Sequence, residues 1–397
     1  MSSSLPLRAN LEWLRKRAKD CLGELRVQRP EATLSEAQLT VARKYGFPSW
    51  RQLKAYVVQL RHELGKLSIA RDDEPLAAPG DPDVARLFSA IHSGSVQQAV
   101  QILQERPILA RSSGTDGQTP LHLAARFNDP TLGAWLIAYG ADPEAKFGES
   151  SHTVLSWSAT CNSPEFARTL VRLGAQPDLF AAAGLGLIDT VRASFDDSGN
   201  LRPGAARSGS TRFAIDGTRL PSPPTTAAEQ VSDALSMASR NAQVDVVRFL
   251  LTKKPDLEFR GYLGATPLHW AYFGGSSEII ELLLSAGADP HMRDEYLKCT
   301  PRAFGIAVAA NWGFDFLIRK LLAGDSSLAQ PIDAHTSPLH EAARGGHVRV
   351  IQILFDHQAD ANFRNSAGKT PREVASDAGH TAATELLASR QTRQTSS

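Results

Sequence analysis

Apolar residues recur along most of the chain at the three- and four-residue spacing of short amphipathic helices. Residues 277–285 predict one such helix, whose wide apolar face consists of Ile279, Ile280, Leu282, Leu283 and Leu284. Residues 268–273 predict a second short helix just before it. Helices this short are stable mainly through their packing against neighbouring helices. The pattern therefore predicts an all-α fold made of stacked helical pairs.

A four-residue phrase marks the start of these helical pairs. Thr-Pro-Leu-His occupies residues 119–122 and 266–269, and Ser-Pro-Leu-His occupies 337–340. Reduced forms begin at Thr300 and Thr370, so that the last four copies lie 33 to 37 residues apart. Thr before Pro can cap a helix while Pro occupies its first turn, where the missing N–H is no loss. The phrase therefore predicts helix starts, with the motif His hydrogen-bonded back across the turn.

A second phrase follows the first by about twenty residues. It reads Gly-Ala-Asp-Pro at residues 140–143 and 287–290, and Gln-Ala-Asp-Ala at 358–361. The Gly predicts that the second helix of the pair ends in a left-handed conformation, which a residue with a Cβ resists. Asp-Pro then predicts a turn into an extended connecting segment.

Together the two phrases resemble those of the ankyrin-repeat family, and the resemblance covers residues 81–394. It implies an ankyrin-repeat solenoid of stacked helical hairpins, in which several repeats are needed to bury a core. Residues 179–196 are an altered repeat, and the other predicted repeats span 81–113, 117–149, 151–179, 227–259, 264–296, 299–330, 336–366 and 368–394.

Residues 197–226 interrupt this series. They are rich in Gly and Pro, which predicts a long loop. Either the stack bends or splits at this point, or the loop bulges from a continuous stack. We favour the bulge, because the entropic cost of a surface insertion grows only slowly with its length.

The chain begins with a region that lacks the repeat pattern. Residues 5–66 predict a small helical module, with capping-box patterns that begin at Ser35 and Ser49, and residues 67–80 predict a linker. The phrase at residues 42–50 resembles a small helical module found ahead of ankyrin repeats in a group of bacterial proteins. No biochemical role comes with that resemblance.

Composition restricts the class of protein further. The chain is 42% hydrophobic and 21% charged, which fits a folded soluble protein. It has no apolar run near the roughly eighteen residues of a membrane span and no continuous apolar segment of a signal peptide at its start. Cys21, Cys161 and Cys299 are odd in number and widely separated, which is typical of free thiols in a reducing compartment. We therefore expect a cytoplasmic monomer.

Signatures of catalysis are absent from the sequence. It has no GxGxxG, GxxxxGK[ST], GxSxG or HExxH motif. His340 and Glu341, followed by His347, could suggest a metal site, but these positions belong to the repeat motif and to the turn after it, where a structural role is favoured. We therefore expect no enzymatic activity, no cofactor and no metal.

The resemblance implies a protein partner, bound on a concave surface lined by the first helices and the connecting segments. Aromatic and Arg side chains are the usual anchors of such interfaces. For Trp270 and Phe273, packing against the adjacent helix is an equally good interpretation. The candidate partner-binding residues are Arg126, Phe127, Trp270, Tyr272, Phe273, Arg293, Tyr296 and Arg344.

Charge is distributed unevenly and suggests an alternative partner. Residues 1–66 hold thirteen Lys and Arg against six Asp and Glu, whereas the rest of the chain holds thirty against thirty-six. A basic helical surface can bind nucleic acid, although it is more often a solvated face or a dock for acidic protein surface. The residues concerned are Arg15, Lys16, Arg17, Lys19, Arg43, Lys44, Arg51 and Lys54, with Trp13, Tyr45 and Trp50.

Overall fold

The computed structural model describes residues 11–44, 47–65, 75–78, 80–213, 218–332 and 337–394. Most of these residues lie in helices that follow one another in pairs, as an all-α repeat fold requires. The chain divides into two compact units, residues 1–181 and 182–397.

Three helices begin the first unit: α1 (Leu11–Gln28), α2 (Leu34–Lys44) and α3 (Trp50–Gly65). They enclose one apolar cluster that includes Leu14, Val41, Leu53 and Val57. The predicted linker lies mostly outside the described residues, as does Tyr45.

The caps of these helices match one prediction and correct another. Helix α3 begins after Ser49, whose Oγ accepts a hydrogen bond from the Gln52 N–H at 3.3 Å, as predicted. Helix α2 is capped by Thr33, whose N–H and hydroxyl donate to the Glu36 carboxylate at 2.7 and 3.0 Å. The capping box predicted at Ser35 was wrong, because the helix starts at Leu34 and Ser35 already lies in its first turn.

The rest of the first unit consists of short helical pairs. First helices contact first helices, and second helices contact second helices, from one pair to the next. The helices are α4 (Pro82–His92), α5 (Val96–Glu105), α6 (Pro120–Arg126), α7 (Pro130–Ala138), α8 (Val154–Thr160), α9 (Pro164–Arg172) and α10 (Leu179–Gly184), which reaches into the second unit.

The second unit continues the same arrangement. Its longest row of contacts runs along the first helices of successive pairs, α12, α14, α16, α18 and α20. The helices are α11 (Ile188–Ala193), α12 (Ala227–Arg240), α13 (Val244–Leu251), α14 (Pro267–Gly274), α15 (Ser277–Ser285), α16 (Pro301–Asn311), α17 (Asp315–Gly324), α18 (Pro338–Arg344), α19 (Val348–Asp356), α20 (Pro371–Asp377) and α21 (Thr381–Gln394).

The repeated Thr-Pro-Leu-His phrase starts first helices and also joins neighbouring pairs. Thr119 and Thr266 are N-caps, and each threonine Oγ1 lies 2.8 Å from Nδ1 of the motif His, as predicted. The far side of the ring reaches the next repeat, since His269 Nε2 lies 3.2 Å from the Cys299 carbonyl oxygen. In the same way, His340 Nε2 lies 2.8 Å from the carbonyl oxygen of Lys369. His269 therefore ties the start of its helix to the connecting segment that follows the pair.

The Gly/Pro-rich segment 197–226 is more ordered than a plain loop. It contains a two-stranded antiparallel ladder, β1 (Arg212–Phe213) with β2 (Arg219–Leu220), which the all-α expectation did not include. The buried carboxylate of Asp233 in α12 accepts hydrogen bonds from the Ser210 N–H at 2.8 Å and the Ser210 hydroxyl at 2.6 Å. These bonds hold the segment against the first helix of the following pair.

The helices on the two sides of this segment contact each other. Helix α11 contacts α13, and the Asn241 side chain donates to the Gly184 carbonyl oxygen at 2.9 Å. Phe195 and Phe249 also meet edge to face, with ring centroids 5.6 Å apart. The segment therefore leaves and re-enters the row of helical pairs at neighbouring positions.

Candidate functional site

The turn between the two helices of each pair gives a reference point from which equivalent positions in different pairs can be compared. Each such turn contains a residue with positive φ, for example Asn128, Ala242 and Gly313. The residue two positions earlier lies at the end of the first helix. From α12 onward this position is held by Arg240, Phe273, Asn311, Arg344 and Asp377, which we call the end column.

Aromatic rings surround the end column in the second unit. Tyr262 is stacked on Trp270 at an interplanar angle of 11°, with centroids 6.4 Å apart. Trp270 meets Phe273 edge to face at 5.5 Å, and Phe273 meets Trp312 at 5.8 Å. Trp312 in turn meets Phe314 at 5.7 Å. We call this connected series of five rings the aromatic ladder.

The two ends of the ladder are exposed, Trp270 and Phe273 are buried, and Trp312 is half-buried. Trp270 and Phe273 are 3% and 5% exposed, so the structure shows the packing alternative for these two candidates. Tyr262 and Phe314 are 39% and 43% exposed. Burial raises the pKa of the Tyr262 phenol, while the positive charge of Arg240 acts in the opposite direction. The ladder therefore combines a core part and an accessible part.

Arg240 lies directly on the buried part of the ladder. Its guanidinium carbon is 5.4 Å from the centroid of the Trp270 ring and 5.3 Å from that of Phe273. A guanidinium over an aromatic face is attracted by the ring quadrupole, so this side chain is held in place by the rings. The end of α12 thus supplies a positioned positive charge at the ladder.

Hydrogen bonds continue the end column toward the C-terminus. Asn311 donates to the Glu341 carboxylate at 3.1 Å, and Arg344 Nε donates to the same oxygen at 3.2 Å. The hydroxyl of Tyr296, from the connecting segment before α16, donates to the Asn311 side-chain oxygen at 3.0 Å. Tyr296 and Arg344 are exposed, and the structure brings these two predicted candidates to the same row.

The other predicted residues do not belong to the aromatic ladder. Arg293 is exposed and donates to the Lys298 carbonyl oxygen at 2.6 Å, within the connecting segment, and Tyr272 is half-buried. In the first unit, Arg126 is exposed at the end of α6, and Phe127 is 46% exposed against His92, with ring centroids 5.8 Å apart.

A shallow cavity lies next to Phe127 in the first unit. It has a volume of about 300 Å³, and Ile91, His92, Val96 and Leu132 contribute to its wall together with Phe127. Arg126 and Phe127 hold the same positions in their pair as Arg240 and Asn241 hold in theirs. The lining residues of the cavity come from two successive helical pairs of the first unit, so the cavity lies where these pairs meet.

The sequence prediction missed Arg240, Trp312 and Phe314. It counted forward from the Thr-Pro motif, which α12 lacks, and α16 has 11 residues against 8 in α14. Counting backward from the turn residue would have placed these side chains in the same row. For α16 the sequence contains that signal, because Gly313 marks the turn.

The described part of the chain shows none of the groupings that mark a metal site or a membrane span. Among those residues, no three His, Cys, Asp or Glu side chains are placed to hold a metal ion. No helix within the same residues is long and apolar enough to cross a bilayer. His347, which could have suggested a metal site, lies 2.8 Å through Nε2 from the Asn311 carbonyl oxygen.

Comparison with known proteins identifies a family model and several relatives that match parts of this chain. The family model described as ankyrin repeats (3 copies) matches residues 87–181, 216–294 and 306–396. The ankyrin repeat and KH domain-containing protein mask-1 of Caenorhabditis elegans is 29% identical over 37% of this chain and 6% of its own length. Ankyrin repeat and SOCS box protein 11 of Danio rerio is 34% identical over 29% of this chain and 38% of its own length.

A third relative matches over more of the chain. The transient receptor potential cation channel subfamily A member 1 of Drosophila melanogaster is 26% identical over 69% of this chain, but over only 20% of its own length. The chain thus spans a minor part of each of these relatives.

Proposed function

The chain belongs to the ankyrin-repeat family, and from this premise we propose that it is an intracellular scaffold or adaptor that binds a protein partner. The proposed binding surface consists of the ends of the first helices and the connecting segments beside them. Helical pairs that are packed before contact lose little conformational entropy on binding, which favours affinity. Recognition, and not catalysis, is the role we assign to the repeats.

One observation carries the proposal. Successive first helices of the second unit present Arg240, Phe273, Asn311 and Arg344 at one register position, next to exposed Tyr262 and Tyr296. Tyr and Arg are the residue types that most often anchor protein interfaces. Tyr262, Tyr296 and Arg344 keep part of their surface exposed, where a partner can reach them.

The test is affinity purification of the full chain from lysate of its native cells, followed by mass spectrometry. A surface variant carries Arg126→Ala, Tyr296→Ala and Arg344→Ala, all at exposed positions. The matched control carries Arg168→Ala, Leu284→Ala and Arg319→Ala, at exposed positions of second helices. We expect a protein that the wild type and the control retain and that the surface variant loses.

The same experiment distinguishes the second candidate function, a nucleic-acid-associated regulator. The cations of the three N-terminal helices support it, since Arg15, Lys16, Lys19, Arg43, Lys44, Arg51 and Lys54 are all exposed. A basic helical surface attracts phosphate in a salt-dependent manner. Material that is lost after nuclease treatment and unaffected by the surface variant would move the function to these helices. Equal recovery with the surface and control variants, insensitive to nuclease, would refute both candidates.

A further inference from the structure

Resting on the proposed function, we infer that the cavity beside Phe127 in the first unit binds an arginine side chain of the protein partner. The inference follows from a comparison of this cavity with the equivalent position in three other helical pairs of the same chain. Those pairs have a hydrogen-bond donor at a position where the pair α6–α7 has an acidic residue.

In the three other pairs, the residue directly after the turn joins its own pair to the preceding one. Its side chain hydrogen-bonds the carbonyl oxygen of the last residue of the preceding first helix. The contacts join His347 Nε2 to the Asn311 carbonyl oxygen at 2.8 Å, His380 Nε2 to that of Arg344 at 3.0 Å, and Gln243 Nε2 to that of Gly184 at 3.4 Å.

The same three side chains cover the turn glycine of the preceding pair. A Cβ on the turn glycines Gly186, Gly313 and Gly346 would lie 2.2, 2.5 and 2.6 Å from a side-chain atom of the following pair. A Cβ on Gly94, the equivalent glycine of the pair α4–α5, would meet no atom of the described residues within 4 Å. Space that a side chain fills in the three other pairs is therefore open beside α4–α5.

The identity of residue 129 explains this difference. Asp129 directly follows the turn residue Asn128 and caps α7, which is the position that His347 holds for α19. Its carboxylate accepts a hydrogen bond from the Leu132 N–H at 2.9 Å and has no donor for the carbonyl oxygen of His92, the last residue of α4. Among the described residues, no N–H group donates to that carbonyl oxygen and no cation pairs with Asp129.

The cavity therefore combines hydrogen-bond acceptors with an apolar wall. His92 and Asp129 line it, and its volume of about 300 Å³ gives room for one long side chain. Nδ1 of His92 lies 2.8 Å from the Phe88 carbonyl oxygen, to which it donates, so Nε2 of the neutral ring is a further acceptor. The apolar part of the wall is formed by Ile91, Val96, Phe127 and Leu132.

An arginine side chain matches both parts of this cavity. Its guanidinium has five N–H donors in a plane, which can serve a carboxylate and a carbonyl oxygen together and can stack on a ring such as that of Phe127. Its methylene stem packs well against apolar walls. An apolar side chain would cover the acceptors without supplying donors, and a carboxylate would be repelled by Asp129.

The charges beside the cavity do not reverse this preference. Arg126 precedes Phe127 and is exposed at the end of α6, but it is not among the residues that line the cavity. Glu165 and Arg168, in α9 of the following pair, form an ion pair with each other. Asp129 thus supplies the carboxylate of the wall, and the described residues that line the cavity include no Lys or Arg.

The test measures binding of Nα-acetyl-arginine methylamide to the full chain by a ligand-observed NMR titration. We expect a Kd on the order of 1 mM, which is the range for a ligand of this size. The citrulline analogue has the same shape without the charge, and the norleucine analogue keeps only an apolar stem. Both should bind about tenfold more weakly or less, and the lysine analogue about threefold more weakly, because its ammonium neither stacks nor forms a planar fork.

Two substitutions of Asp129 locate the site. Asp129→Asn keeps a good helix cap and removes the charge, and it should weaken binding of the arginine analogue by about tenfold. Asp129→His introduces the donor that His347 supplies in its own pair, so it should fill the cavity, abolish binding and leave the thermal midpoint unchanged or raised. The control is Asp142→Asn, at an exposed position of the first unit whose carboxylate accepts from the Glu144 N–H at 2.9 Å, and it should leave the affinity unchanged.

Several outcomes would overturn the inference. They are equal affinity for the arginine analogue and any of the other three analogues, equal effects of Asp129→Asn and Asp142→Asn, and undiminished binding by a folded Asp129→His variant. Absence of binding at concentrations up to about 10 mM would overturn it as well. None of these results decides the proposed function, whose own failure would appear as equal recovery from lysate with the surface and control variants.

Discussion

At the scale of single residues, each helical pair depends on residues with positive φ. They lie at the turn between the two helices and at the end of the second helix. The second helices end at residues such as Gly287, with φ of 102°, as the Gly-Ala-Asp-Pro phrase predicted. The turns inside the pairs need a positive φ as well, and most use Gly or Asn. Ala242 is an exception at φ of 57°. Because a Cβ makes this region unfavourable, the two positions should respond oppositely to exchange of Gly and Ala.

We predict that Gly287→Ala destabilises the chain by about 1 kcal/mol or more, and that Ala242→Gly stabilises it by about 1 kcal/mol. A Cβ at Gly287 would meet no atom within 4 Å, so the cost there is one of backbone conformation alone. The measurement is the free energy of unfolding in urea. Ala286→Gly, at φ of −79°, is the matched control and should be destabilising. A loss of stability in Ala242→Gly would contradict this account of the turn.

At the scale of helices, small residues set how closely first helices approach each other. A Cβ on Gly305 of α16 would lie 2.6 Å from the carbonyl carbon and oxygen of Tyr272 in α14. A Cβ on Gly274 of α14 would lie 2.6 Å from the carbonyl oxygen of Ser239 in α12. These neighbours are backbone atoms, which cannot rotate away. The spacing of the first-helix row, and with it the spacing of the end column, therefore depends on these glycines.

We predict that Gly305→Ala destabilises the chain by about 2 kcal/mol, despite the higher helix propensity of Ala, because overpacking against backbone forces the helices apart. Gly324→Ala, in α17, is the control, because its Cβ would meet nothing within 4 Å and should be neutral or stabilising. Urea unfolding of both variants gives the comparison. Similar stability of the two would show that α14 and α16 have room to adjust.

At the scale of the whole molecule, buried histidines should make stability depend on pH. Burial lowers the pKa of His122, His152 and His269 to about 4, from an ordinary value of 6.5. The neutral ring of His269 accepts at Nδ1 from Thr266 and donates from Nε2 to the Cys299 carbonyl. A proton on Nδ1 removes that acceptor and places a charge inside the stack. Since both units contain such rings, both should lose stability in acid.

We predict that the free energy of unfolding is highest above pH 6.5 and falls as the pH is lowered from there toward 4. The sign follows because the unfolded chain binds protons near its ordinary pKa, whereas the folded chain resists them until about pH 4. Each such His should contribute up to about 3 kcal/mol of this loss. Urea unfolding between pH 7 and pH 4.5 measures the slope.

The variant His269→Asn should have a shallower slope of unfolding free energy against pH than the wild type. The slope is compared rather than the absolute stability, because the substitution itself removes hydrogen bonds. Equal slopes in the two proteins would mean that His269 does not titrate with folding.

Much of the fold could be predicted from the sequence because its signals are local. Thr119 and Thr266 cap helices, Pro occupies first turns, and Gly287 ends a helix, and each of these effects involves residues within a few positions of one another. The spacing of the two phrases near 33 residues then reports the repeat. The family match over three ranges of the chain agrees with this interpretation.

The candidate site could be predicted only in part, because exposure depends on neighbours that lie far apart in sequence. Arg126, Phe127, Tyr296 and Arg344 are exposed, as a binding role requires. Trp270 and Phe273 have the residue types of an interface but are covered by Arg240 and Trp312, which come from adjacent helical pairs. Arg240 was missed because α12 begins at Thr226-Ala227 and lacks the Thr-Pro motif that marks the other helix starts.

The sequence by itself determined the class of fold, the repeat, its helix starts and the residues that end its second helices, since short-range sterics and hydrogen bonding decide these. Only the tertiary structure decided which side chains share the end column, because that depends on the register between helices that are more than thirty residues apart. It also decided the conformation of the Gly/Pro-rich segment 197–226, in which Ser210 is hydrogen-bonded to the buried carboxylate of Asp233. Contacts of this kind arise from three-dimensional packing, which no local pattern of residues encodes.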